Sequence, residues 1–382
     1  MKKYNFNEYV NRREFNSSKW SVDEDTISLT VADTDFKVLP EIAKEVEKIN
    51  QYGRFGYTEI DDSYFEAYVK WYGSRYNAKF SVSDCVFSTG VISSMDTILK
   101  RIIKKGDAIM MFTPIYNVFF NCIKNAGAYL LDCPFIYKDH KYSIDWDLFE
   151  KNIKKTKVFI LCNPHNPTGI RFKEEELQRI NELCIENNVY LFADEIHSDI
   201  DYNKTKYVST LAVLENDKLL TFLSPGKTFN LAGLHSSIVV IKNEILRAIT
   251  QDALYHDNVG EANIFGINPV KAAFNYGEEY VIKMNDYLDR NREYVRTFLK
   301  ENAPHLHLID NEMTYLLWID VSDYHMSATS FCDILQHKYK LAVNAGLKYG
   351  DDRFIRVNIA TQFETIKEAM NRLRSYIVSL EK

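Results

Sequence analysis

Three short apolar runs in this 382-residue chain each end in a residue able to do chemistry. "VFILC" leads into Asn163-Pro164-His165-Asn166-Pro167-Thr168-Gly169, "VYLFA" into Asp194-Glu195-Ile196-His197, and "LLTFL" into Ser224-Pro225-Gly226-Lys227-Thr228. Runs of this kind, bounded by polar residues, read as buried strands. In open parallel sheets ligands sit outside the carboxyl ends of the strands, so an amide, a carboxylate with an imidazole, and an amine are expected on one sheet edge. Each also has an ordinary reading: Asn163 or Asn166 as a turn former beside proline, Asp194 as a helix N-cap, Lys227 as a solvated turn lysine. Their shared position favours a joint site. Gly226-Lys227-Thr228 looks like the end of a nucleotide-binding P-loop, but G-x-x-x-x-G-K-[ST] requires glycine at 221, where Thr221 lies inside the strand. No G-x-G-x-x-G occurs, and "HLH" at 305–307, alternating in a probable strand, is weak ground for a metal site.

A lysine, an aspartate and an asparagine converging on a sheet edge suit pyridoxal phosphate. The lysine forms the Schiff base and later moves the Cα proton. The aspartate keeps the pyridinium nitrogen protonated, which makes the ring an electron sink, while asparagine with a histidine or tyrosine hydrogen-bonds the ring's phenolate oxygen. The phosphate needs a cradle, and "STGVISS" at 88–94 offers one where a strand enters a helix and free N–H groups meet an anion. The alternative is an ordinary N-cap.

The elements that must position these residues follow from periodicity. From about residue 84 the chain alternates strand-like runs ("DCVFST", "AIMMFTP", "AYLLDCPF", "KVFILCN") with helix-like ones such as "KEEELQRINELCIENN". That alternation predicts βαβ units and a mainly parallel sheet with helices on both faces. After about residue 280 a long amphipathic helix (Val281, Met284, Leu288, Val295, Phe298, Leu299) leads into three strands, "TYLLWIDV", "LAVNAG" and "RFIRVNIA", and a terminal helix. The expected division is a large domain over 47–282 and a smaller α+β domain built from 1–46 and 283–382. A net charge of −6 without blocks of like charge argues against nucleic acid as the main partner. Six scattered cysteines without a C-x-x-C pair point to reduced thiols in the cytoplasm. "MKKYNFNEYVNRR" lacks the apolar stretch of a signal peptide, and no apolar run approaches the ~18 residues of a membrane helix.

"LCNPHNPTG", "ADEIHSD" and "SPGKTFNLAGLHSS", in that order and spacing, resemble fold type I pyridoxal phosphate enzymes. "VADTDF" (31–36), "FGYT" (55–58), "TPIYNVFF" (113–120), "YLLWID" and "RFIRVNIA" narrow the resemblance to the MalY/PatB-type cystathionine β-lyases, the C–S lyase branch of the class I/II aminotransferases. It covers about residues 4–376 and implies a role for each matching position. Lys227 is the lysine joined to the cofactor, Asp194 pairs with the pyridinium nitrogen, Asn166 and His197 face the ring oxygen, and Tyr116 stacks on the ring. Backbone N–H groups of Val91 and Ile92, with the Ser224 hydroxyl, hold the phosphate. Tyr57 resembles the tyrosine that reaches the phosphate from a second subunit, which implies a homodimer with shared sites. Arg356 resembles the guanidinium that clamps the substrate α-carboxylate, with Ala32, Asn166 and Tyr57 beside it.

Two positions depart from the family pattern. His235 stands where many aminotransferases of this fold carry an arginine eight residues after the lysine, and its absence is common in the C–S lyase branch. Thr34, in "ADTDF", stands where methionine is usual, so the family's substrate-pocket contacts do not carry over through this segment unchanged. The resemblance therefore implies α,β-elimination of an amino acid with a β-sulfur leaving group, such as L-cystathionine or L-cysteine. An aminotransferase is the nearest alternative, and a regulatory protein with secondary catalysis is a further one.

Overall fold

The strands that lead into Asn163, Asp194 and Ser224–Lys227 are neighbours in one seven-stranded sheet, and their register explains why those residues meet. In the computed structural model, which describes residues 4–202, 207–310 and 312–380, the strands are β1 (Cys85–Ser88), β2 (Ala108–Thr113), β3 (Tyr129–Pro134), β4 (Thr156–Cys162), β5 (Tyr190–Asp194), β6 (Leu219–Leu223) and β7 (Ser237–Val240). Their spatial order is β1-β7-β6-β5-β4-β2-β3. Neighbours from β6 to β3 are parallel, and β7 alone runs antiparallel to both β6 and β1. Cys162 lies opposite Asp194, and Asp194 opposite Phe222. The loops that follow β4, β5 and β6 therefore leave the sheet side by side.

Both faces of this sheet are covered, which is why its strands read as unbroken apolar runs. Side chains alternate between two cores. Ile109, Met111, Val158, Ile160 and Phe192 pack against helix α3 (Val91–Ile102) and the helices Val118–Asn125 and Glu244–His256. Met110, Phe112, Phe159, Leu161 and Leu191 face the helices Trp146–Ile153 and Glu174–Glu186.

The later strands form a second, antiparallel sheet. It comprises β8 (His307–Leu308), β9 (Leu316–Asp320), β10 (Asn344–Ala345) and β11 (Phe354–Asn358), in the order β8-β9-β11-β10. Helices Glu278–Asn302, Ala328–Tyr339 and Phe363–Leu380 cover it. The "LAVNAG" run divides: Leu341–Ala342 pairs with Ile27–Ser28, while Asn344–Ala345 joins β11. Two earlier helices matter below. Helix α1 (Pro40–Tyr52) opens on proline and ends at Gly53, whose φ of 64° gives the left-handed turn a C-cap needs. Helix α2 (Asp62–Tyr76) is capped by the Asp61 carboxylate. The expected domain boundaries at 46/47 and 282/283 fall inside α1 and inside the helix Glu278–Asn302. We propose that division with continuous helices, rather than loops, joining its parts. Met1–Lys3 and Glu381–Lys382, at its ends, lie outside the described residues.

The N-terminal segment is fastened to the rest by charge. Asp35, buried to 3% exposure, accepts from Lys19 Nζ at 2.8 Å, Arg12 Nη1 at 2.8 Å and Trp20 Nε1 at 3.0 Å. Burial pushes its carboxyl up, but the Lys19 ammonium and these hydrogen bonds outweigh burial and leave it below the usual range. Asp35→Asn should then destabilise the fold by about 3–5 kcal/mol, because it strands the buried Lys19 cation. The stability carried by Asp35 is present above the ordinary carboxylate pKa and is lost as pH falls through the depressed one. Urea unfolding of both proteins from pH 7 into the acid range checks this: the gap should hold down to the ordinary carboxylate pKa and narrow below it.

Candidate active site

A cavity of about 290 Å³ lies at the shared strand edge. Asn166, Asp194, His197, Ser224 and Lys227 line it from the loops after β4, β5 and β6; Val91 and Ile92 from the start of α3; Tyr116 from the loop after β2; and Ala32 from the N-terminal segment. His235 and Ser236 complete one end.

Lys227 is held in a tight turn in which Phe229 N donates to Pro225 O and Leu231 N to Gly226 O. Its Nζ donates to the Ala32 carbonyl at 2.7 Å. Burial, then the nearby Arg356 cation, pull the amine down to about 8, against the opposing pull of Asp33 and Asp194. Asp194 responds in the opposite sense. Burial raises its carboxyl to about 7, and only the Ile196 N–H at 3.1 Å and the Lys227 charge resist. A buried carboxylate with so little support fits a cationic partner such as a protonated ring nitrogen. His197 is buried, and burial, then Lys227 and Arg356, keep its imidazole neutral. Its Nδ1 is buried without a hydrogen-bond partner among the described residues, which suits a ligand oxygen.

The other end of the cavity offers N–H groups. Helix α3 begins after Gly90 with no side-chain cap, and Thr89 to Ser93 line the cavity there. Its first amides have no intrahelical acceptor and carry the positive end of the helix dipole. Ser224 stands beside them, with its hydroxyl donating to Ser236 O at 3.0 Å and accepting from Gly226 N at 3.1 Å. The set of groups therefore fits a flat, hydrogen-bonding cation with a phosphate at one end, the outline of pyridoxal phosphate.

Arg356 lies on β11 behind Asn166. Its Nη1 donates to Asn166 Oδ1 at 3.2 Å and its Nη2 to Thr30 O at 2.8 Å, and the guanidinium sits 4.7 Å from the Tyr349 ring centroid. Its Nε is buried without a partner among the described residues. The Ala32 carbonyl is already taken by Lys227, so a contact from Ala32 to a carboxylate would fall to its N–H. Tyr57 is not brought to this cavity. It is fully exposed and lines a separate surface groove with Thr58 and Tyr255. Thr34 does not line the cavity either: it is buried and exchanges hydrogen bonds with Asn230, its N–H donating to Oδ1 at 3.3 Å and its carbonyl accepting from Nδ2 at 3.0 Å.

Several supporting residues escape sequence reasoning. The Asp199 carboxylate, inside "ADEIHSD", accepts from Trp71 Nε1 and Arg75 Nε of α2 and from Thr228 Oγ1, the residue after the lysine. Glu195 accepts from Ser209 Oγ and from the backbone and hydroxyl of Thr210. Tyr315, just before β9, donates to the same Ala32 carbonyl as Lys227. Among the described residues no group of three or more side chains could hold a metal ion, and His307 of "HLH" bonds Asp323 at 2.8 Å.

A lowered amine leaves about one Lys227 in ten neutral at pH 7, against fewer than about one in a thousand at the ordinary value. Acylation of Lys227 in the cofactor-free chain, followed by peptide mass spectrometry, should reach its half-maximal rate near pH 8. A midpoint near 10.5 would show an ordinary solvated lysine.

Comparison with known proteins agrees with this geometry. The chain is 29% identical to cystathionine beta-lyase PatB of Bacillus subtilis, over 97% of this chain and 99% of that protein. It superposes on cystalysin from Treponema denticola, a structure that contains pyridoxal 5′-phosphate, with a TM-score of 0.95, 28% identity and 99% of each chain covered. It superposes on the PLP-bound C–S lyase of Staphylococcus hominis with a TM-score of 0.92 and 30% identity, covering 98% of each. With residues 24–373 matching the family model described as aminotransferase class I and II, the chain belongs to that family.

Proposed function

We propose that this protein is a pyridoxal 5′-phosphate-dependent carbon–sulfur β-lyase. With water, it converts an L-amino acid bearing sulfur on its β-carbon to a thiol, pyruvate and ammonia. L-Cystathionine is the leading substrate, and L-cysteine or other S-substituted cysteines follow. One observation carries the reading: a lowered amine, a raised carboxyl and an uncapped helix N-terminus share one cavity in a chain similar over its whole length to proteins named as lyases of this kind.

When bound, the cofactor supplies an electron sink for the negative charge that develops at the substrate's α-carbon. The chain's own residues would do the rest. Asp194 holds a proton at the ring nitrogen, Asn166 and His197 orient the ring through its oxygen, and Tyr116 covers its face. The amides of Val91 and Ile92, with the Ser224 hydroxyl, bind the phosphate. Arg356 takes the α-carboxylate, with help from Asn166 and the Ala32 backbone, and Lys227 takes the proton from the α-carbon. His235 leaves the phosphate end with an imidazole where many transaminases of this fold place a guanidinium, which supports elimination over transamination.

The exposed Tyr57 side chain supports a homodimer in which each subunit lends this residue to the other's site. All six cysteines are unpaired and five are buried, which supports a reducing compartment such as the cytoplasm. Among the described residues no helix is long and apolar enough to cross a membrane.

Incubation with L-cystathionine should release pyruvate and a free thiol in equal amounts with no keto-acid acceptor present, and Lys227→Ala should abolish the release. Turnover that depends on an added keto acid would make the protein an aminotransferase instead. Near-normal pyruvate production by Lys227→Ala would remove the lysine from the chemistry.

A further inference from the structure

Lys227 meets the N-terminal segment at one oxygen, and that oxygen is shared. Lys227 Nζ donates to the Ala32 carbonyl at 2.7 Å, and the Tyr315 hydroxyl donates to it at 3.1 Å. Tyr315 has no solvent exposure, and its ring meets His197 edge-on with centroids 6.0 Å apart. The carbonyl cannot turn away from either donor, because Asn358 Nδ2 grips the Val31 and Asp33 carbonyls on both sides of it. A carbonyl oxygen has two lone pairs and can accept both bonds, but each donor draws on electron density the other would use.

We propose that Tyr315 is a positioning residue for the proton-moving lysine: its hydroxyl occupies one lone pair of the Ala32 carbonyl and so loosens that carbonyl's hold on the Lys227 ammonium. A hydrogen bond accepted from the ammonium stabilises the charged form, and an undivided carbonyl would stabilise it more. The charged and titratable groups facing Lys227 are Arg356, Asp33 and Asp194, with the neutral His197 beside them. Tyr315 acts differently from these. It is uncharged, and it tunes the amine through a peptide oxygen without altering the charge balance that the substrate and cofactor meet. The inference rests on the reading of Lys227 as the group that takes the α-proton.

Two variants move the shared bond in opposite directions. Tyr315→Phe keeps the ring and deletes the donor, whereas Tyr315→3-fluorotyrosine keeps the ring and makes the phenol a stronger donor. The first readout is the pH midpoint of Lys227 acylation in the full chain freed of cofactor by hydroxylamine treatment followed by dialysis. Tyr315→Phe should raise it by roughly half a unit, and the fluorinated residue should lower it. The second readout is the acidic limb of kcat for pyruvate release by the holoenzyme, which should move the same way in each variant. Unchanged midpoints, or a shift of the same sign in both, would overturn the proposal, since a packing role alone gives no sign reversal. If Tyr315→Phe does not fold, the fluorinated variant, which adds one atom, carries the test. The acylation midpoint needs no turnover, so failure to release pyruvate from any S-substituted cysteine would count against the proposed reaction and leave the Tyr315 result standing.

Discussion

Residues 30–35 cross the site as irregular backbone, and every carbonyl from Thr30 to Asp35 accepts from a side chain instead of from a β-ladder. Thr30 O takes Asn344 Nδ2 and Arg356 Nη2; Val31 O and Asp33 O take Asn358 Nδ2; Ala32 O takes Lys227 and Tyr315; Thr34 O takes Arg12 and Asn230; Asp35 O takes Gln362 Nε2. A buried acceptor left unpaired costs on the order of 1–3 kcal/mol, so this stretch holds its course only while those side chains stay in place. The dependence runs both ways. Buried amides such as Asn344, Asn358 and Gln362 would be costly themselves without these acceptors. The small antiparallel sheet, the N-terminal arm and the lysine loop of the large sheet are thereby tied to one another through six consecutive peptide groups.

Burial then determines the chemistry of what this frame encloses. The large sheet is covered on both faces, and its strand ends open into a cavity lined mostly by apolar or neutral groups. Desolvation moves Asp194 up and Lys227 down, so that each sits near neutrality when its ordinary value lies far from it. Groups poised in this way change protonation for little free energy, which is what acid–base work requires. The same burial holds His197 neutral and leaves its Nδ1 and the Arg356 Nε without protein partners among the described residues. Both atoms keep hydrogen-bonding capacity that the described protein groups do not use.

The large sheet was legible in the sequence because both of its faces are buried: "VFILC", "VYLFA" and "LLTFL" are mainly apolar, with Thr221 the polar member of the last, and their polar successors mark the edge where function collects. Arg356 was reached through the resemblance and the alternation along "RFIRVNIA". The antiparallel course of β7 was not legible, since a buried strand reads the same in either direction. Nor was the separation of "LAVNAG" into two pairings, which depends on distant strands at 27–28 and 354–358. Thr34 shows a different limit. Sequence marks it only as a departure from the family pattern; its partner is Asn230, 196 residues away and in the left-handed conformation with φ of 58°. Tyr315 and Asp199 are hidden for the same reason: the Ala32 carbonyl for one, and the Trp71, Arg75 and Thr228 donors for the other, are brought near only by the completed fold. Local pattern reveals which residues emerge at an edge, whereas long-range hydrogen bonds decide what holds them there.

The groups proposed for substrate recognition and for proton transfer are fastened to the same short segment. Arg356, the proposed carboxylate clamp, holds the carbonyl of Thr30, and Lys227, the proposed base, holds the carbonyl of Ala32, two peptide units further along the same segment. Arg356 also holds Asn166, which lines the cavity from the loop after β4. A carboxylate that takes the Nη2 donor would weaken or stretch the Thr30 bond, whereas one held through the unpartnered Nε would leave it in place. Asn344 remains on Thr30 and Asn358 on both neighbours of Ala32, so the segment is retained while the load on it changes. Coupling of this kind needs no conformational switch and no long pathway. It follows from placing the proposed carboxylate clamp and the proposed base on carbonyls two peptide units apart in one stretch of backbone that has no ladder of its own.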